Sequence, residues 1–150
     1  MSYKYSLCCG LGLLLSAAPI FVLAGPAWAA GYDAELDPVP FDASNRAIVI
    51  DSIGNASAAL DGGTLTISGS FSKFTSPASG GSVRIGLAKG VPGDAIGTLT
   101  VDHAVSGHFS GSVKLNGGQI AALKKQAIYV RIDSENSPDG NVQGWLEGTK

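Results

Sequence analysis

Few side chains in this chain are of types that do chemistry. His103 and His108 are its two histidines. Metal sites normally draw on three or four ligands held by further hydrogen bonds, so two imidazoles fall short. His108 alternates outward beside an inward Phe109, and His103 lies in a turn-like stretch. Both read as surface residues. Serines are plentiful, yet none stands in a Gly-x-Ser-x-Gly elbow at a strand-to-helix turn; Gly69-Ser70-Phe71 falls inside a strand. The two cysteines, Cys8 and Cys9, lie in a leader that processing removes. No catalytic constellation emerges, and the expectation is a protein that is not an enzyme and carries no cofactor.

Two other groups remain. Asp133, Glu135 and Asp139 cluster near Asn136 and Asn141. An oxygen-rich loop of this kind is a calcium candidate, although the spacing is not that of an EF-hand. Pro138-Asp139-Gly140 by itself explains a turn, and a plain solvated loop is the favoured reading. The other group is Tyr129, Arg131 and Trp145. With Ile132 opposite Val142 in an antiparallel hairpin, Tyr129 falls opposite Trp145 and Arg131 opposite Gln143. An aromatic pair beside a guanidinium is a candidate contact face for a sugar ring or a partner protein. The plainer alternative is a cross-strand pair that steadies the sheet by roughly 0.2–1 kcal/mol. A further possibility is that extra chain, such as residues 47–50, covers these rings.

The elements that hold these residues are strands. In residues 127–148, Ile128, Val130 and Ile132 alternate with Tyr129 and Arg131, and Val142, Gly144 and Leu146 with Gln143 and Trp145. A period of two buries one face. Ala34 and Leu36 open a first strand, and residues 55–60 form another. Asp61-Gly62-Gly63 is a hairpin turn, since glycine supplies positive φ. Residues 64–72 alternate most clearly. Val83, Ile85 and Leu87 mark one more strand, Leu99 and Val101 another, and residues 108–115 another. Residues 116–126 carry Ile120, Ala121 and Leu123 at helical spacing and suggest two turns of helix, with Lys124-Lys125 at its favourable C-terminal end. Residues 47–50 read either as an added strand or as a buried apolar loop. Seven or eight short strands with one short helix predict an all-β antiparallel β-sandwich or Greek-key barrel.

The leader sets the compartment. Lys4 precedes an apolar run from Leu7 to Ala24, and Ala27-Trp28-Ala29 offers small residues at both positions a signal peptidase inspects. Residues 1–29 read as a signal peptide and residues 30–150 as a single domain, periplasmic or secreted. An uncleaved anchor is the rival, because the run reaches the ~18 residues at which spanning begins; Pro19, Gly25 and Pro26 interrupt it. Loss of Lys4 leaves nine Lys and Arg against twelve Asp and Glu, a balance of −3. Nothing points to nucleic acid, or to a membrane after cleavage. Asn55-Ala56-Ser57 is a sequon that matters only in a eukaryotic secretory route.

Two blocks carry a family resemblance. Residues 54–79 read GNASAALDGGTLTISGSFSKFTSPAS. In residues 107–146, GHFSGSVKL leads through QIAAL to IYVRIDSENSPDGNVQGWL. Together they resemble the CHRD domain, named after chordin. The resemblance implies an immunoglobulin-like β-fold, secretion and no established catalytic activity. The chain departs from that pattern where an Ala-His-Ile-His motif follows the Ser-Pro-Ala segment: Gly81-Ser82-Val83-Arg84-Ile85-Gly86 stands there instead. Asp133 stands where another histidine follows the Tyr-Val strand. The expectation is therefore a divergent member that binds or scaffolds an unknown protein or glycan of the cell envelope. The alternatives are a metal-dependent enzyme on a superoxide-dismutase-like sandwich, which the missing histidines oppose, and a self-associating structural protein of the envelope.

Overall fold

The computed structural model describes residues 29–150. The signal-peptide reading, with Cys8 and Cys9, falls almost entirely outside them. Nine strands and two short helices follow: β1 (Ala30–Pro38), α1 (Arg46–Val49), β2 (Ile53–Asp61), β3 (Thr64–Ser72), β4 (Ala78–Ile85), β5 (Asp94–Val101), β6 (Gly107–Lys114), α2 (Gly117–Lys124), β7 (Ile128–Ser134), β8 (Ser137–Trp145) and β9 (Glu147–Gly148). No helix among them is long and apolar enough to cross a membrane.

The first eight strands close into an antiparallel barrel in the order β2-β3-β6-β5-β4-β7-β8-β1, with β1 returning to β2. Strands β4, β5 and β6 run as a meander, and β7 returns beside β4. That is a Greek key, with α2 in the long connection. Two strands turn the corners. β1 pairs with β2 from Ala30 to Leu36 and with β8 at Asp37 and Pro38. β5 pairs with β4 from Asp94 to Leu99 and with β6 at Thr100 and Val101. Closure removes the unpaired edges that would otherwise template aggregation.

Alternation places the core inside. Leu36, Leu65, Ile67, Phe71, Val83, Phe109, Val113, Val130, Ile132, Val142 and Leu146 are buried, as their spacing predicts, and Ile85 is half-buried against them. The β2–β3 hairpin turns on Gly62 and Gly63, at φ of 53° and 83°. Such a turn needs positive φ at both central residues. α2 starts at Asn116, whose side chain accepts from Gln119 N while Gln119 Oε1 accepts from Asn116 N, each at 2.9 Å. This reciprocal cap satisfies two N–H groups that have no partner within the helix.

Three expectations change. Residues 47–50 form neither strand nor loop: Arg46–Val49 is one turn of helix that buries Val49. Leu87 is not inward but 94% exposed. Gly86 N still donates to Ala127 O, but β4 ends at Ile85 and Leu87 lies in the connection beyond it. The hairpin between β7 and β8 turns at Glu135 and Asn136, not at Pro138-Asp139-Gly140. The latter lies within β8, where a register shift absorbs extra residues and Gly140 takes a φ of 124°. The turn-forming chemistry of Pro-Asp-Gly is used for a bulge.

Candidate functional site

The outer face of β4, β7 and β8 brings the candidate aromatic and basic residues together. Tyr129 pairs with Trp145 and Arg131 with Gln143, in the expected register. The two rings lie with centroids 4.4 Å apart, tilted by 38°. This separation is at the short edge of the range for aromatic pairs.

The face is not open. Tyr129 is only 1% exposed. Its cover is the connection between β4 and β5, not α1. Tyr129 Oη accepts from Gly93 N and from Arg84 Nε, both at 3.1 Å. Lys89, in the same connection, forms an ion pair with Glu147. Val39, Pro40 and Asn45, from the chain after β1, approach from the other side. Tyr129 is therefore a buried support, while Trp145 and Arg131 stay half-buried.

The cover divides the face into two cavities. One, of about 480 Å³, has Trp145, Gln143 and Lys89 on one side and Asp33, Glu35 and Asp37 on the other. Those three carboxylates are the outward residues of β1, set by the same alternation that buries Ala34 and Leu36. The groove overlies the seam where β1 meets the chain of β8 and β9. That ladder is paired at Asp33–Glu147 and at Asp37–Gln143. The second cavity, of about 240 Å³, contains Arg84, Tyr129 and Arg131, and Gln143 lines both. Arg84 stands opposite Tyr129 in the β4–β7 ladder. It belongs to this surface, and the sequence reading missed it. Its signal was its outward place between Val83 and Ile85.

The calcium candidates do not converge. Asp133 Oδ1 lies 2.8 Å from Arg131 Nε in an ion pair. Burial pushes its carboxyl above the usual carboxylate value of 3.8, against the pull of Arg131. Glu135 lies 3.4 Å from His103 Nε2 at the hairpin tip. Asp139 lines the smaller cavity instead. The physical reason is the position of the turn: with Glu135 and Asn136 at the tip, the three acids take different neighbours. Among the described residues, no three His, Cys, Asp or Glu side chains form a metal-ligating group. His103 and His108 are both exposed. His108 Nδ1 lies 3.8 Å from Asp102 Oδ2, and His103 Nδ1 lies 3.0 Å from Ala78 O.

Comparison of the chain with protein-family models, with curated proteins and with solved structures finds no match.

Proposed function

We propose that this chain is a secreted or periplasmic, non-catalytic binding module of the CHRD type. It holds another component of the cell envelope, protein or glycan, in the groove walled by Trp145. On this reading the barrel is a flattened immunoglobulin-like sandwich whose corners are β1 and β5. The leader pattern and the two resembling blocks support the reading.

One observation carries the choice of site. Trp145 is held from behind by the buried Tyr129 and borders a concave groove with polar groups on its opposite wall. A rigid aromatic wall offers contact area at small entropic cost, and convergent polar groups orient what binds. The test uses the tagged secreted protein as bait for solubilised envelope of its own host, beside Glu35→Gln and Gln143→Ala variants. A component retained by the wild type and lost by both variants is the expected result. Retention unaffected by either variant places binding elsewhere and overturns the site. Stoichiometric copper, zinc or iron in the purified protein overturns the non-catalytic reading.

A further inference from the structure

The smaller cavity holds an arrangement the groove does not use. Arg84 on β4 pairs with Tyr129 on β7, and Ser82 pairs with Arg131, so Arg84 and Arg131 are diagonal neighbours on one face. Such diagonal neighbours are roughly 7–8 Å apart, with their Cβ atoms somewhat closer. Two arginine side chains of that separation reach a common point. Both line the same 240 Å³ pocket, with Tyr129 between them and Ser137, Asp139 and Gln143 from β8.

The guanidinium of Arg84 is fixed along one edge only. Its Nε donates to Gly93 O at 3.0 Å and to Tyr129 Oη at 3.1 Å. No carboxylate among the described residues lies within ion-pair distance of it. Its Nη groups have no hydrogen-bond partner among those residues, and they are not sealed from solvent. A half-buried guanidinium whose Nη groups lack hydrogen-bond partners is unfavourable unless something bonds them. Arg131 Nε lies 2.8 Å from Asp133 Oδ1 as an ion pair without hydrogen-bond geometry, and its Nη groups have no hydrogen-bond partner among the described residues. A guanidinium held at Nε presents its remaining N–H fork in one plane, the geometry that grips a planar carboxylate at two points.

We propose that this pocket binds the carboxylate of a small ligand between Arg84 and Arg131, with Gln143 beside it to bond further polar groups. The local charge favours a monoanion over a dianion. Asp139 stands at the wall and Asp133 behind Arg131, so two cations already face two carboxylates. A carboxylate adds one negative charge to that balance, and a phosphate dianion adds two. The pocket shares Gln143 with the Trp145 groove, but Arg84 and Arg131 line the pocket and not the groove, so Arg84→Gln tests this proposal separately from that reading.

The experiment is a titration of the purified secreted protein with sodium acetate and sodium lactate, followed by amide and guanidinium Nε–H resonances. Sodium chloride and sodium phosphate at matched ionic strength are the comparison. Saturable shifts confined to Gly93, Tyr129, Arg131 and the Arg84 Nε–H are expected with the carboxylates. Arg84→Gln should weaken binding at least roughly tenfold, since it removes charge-assisted bonds. Arg84→Lys keeps the charge, loses the fork, and should fall between. Asp139→Asn should strengthen acetate binding by removing the like charge at the wall, a gain that no merely structural role of these arginines supplies. Absence of saturable shifts, equal binding by Arg84→Gln in a variant whose spectrum shows the fold intact, or tighter binding of phosphate than of acetate overturns the proposal.

Discussion

Single residues on this barrel are governed by which side of the sheet they take and by what lies over that side. Asp133 shows both effects. It points outward on β7, yet the chain around it shields it enough to raise its carboxyl above its ordinary value, with Arg131 only partly offsetting the cost. The sign of the consequence follows. The folded state holds this proton more tightly than the unfolded chain. The residue's contribution is therefore most favourable below about pH 3.8 and is lost as pH rises through the raised value. Asp133→Asn removes that dependence. Urea unfolding across the acid range should show the variant gaining on the wild type as pH rises. A gain in the opposite direction would mean that the Arg131 pair outweighs burial.

At the scale of elements, α2 offers a sharp test. Gln126 follows its end with a φ of 59°. Ala127 N donates to Ala122 O, and Gln126 N to Leu123 O, both at 2.9 Å. This is the hydrogen-bond pattern of a helix that closes on a left-handed residue, a place glycine normally fills. A residue with a Cβ pays about 1–2 kcal/mol in that conformation, and added freedom in the unfolded chain offsets part of what glycine would gain. Gln126→Gly should therefore raise stability by up to about 1 kcal/mol in chemical denaturation. Asn116→Ala, at the other end, should lower it by about 1 kcal/mol. Unchanged or lowered stability of Gln126→Gly would show that the side chain, not the cap geometry, holds the turn. The helix was legible because Ile120, Ala121 and Leu123 stand at helical spacing and Lys124-Lys125 favour its C-terminal end, although its Asn116–Gln119 cap went unread. Legible too was the strand Thr64–Ser72, whose alternation has no competing pattern. The cover over Tyr129 was not legible. Alternation says which face a side chain takes and nothing about a loop from another strand folding across it. The same limit hid Arg84, whose partners Gly93 and Tyr129 lie nine and forty-five residues away. Pro138-Asp139-Gly140 misled for a different reason: positive φ serves a bulge as well as a turn.

The whole molecule depends on one strand for closure. β1 pairs with β2 along one side, and with β8 and β9 along the other. It brings the first described residues against the last: Thr149 N donates to Gly31 O at 2.9 Å. Leu36 sits where β1 leaves β2 and crosses to β8, and it is fully buried. Its side chain would lie 2.6 Å from a Cβ at Gly144 and 3.1 Å from one at Gly54, so both neighbouring backbones press against it. Shortening it leaves a cavity at the seam, where those backbones have little freedom to collapse. Leu36→Ala should cost about 2–5 kcal/mol, whereas Ile53→Ala, on the exposed side of β2, should cost under about 0.5 kcal/mol. If closure is cooperative, Leu36→Ala lowers one unfolding transition seen alike by Trp145 fluorescence near the seam and by far-ultraviolet dichroism across all strands. Two separated transitions in that variant would show that β1 can detach while the other seven barrel strands remain folded.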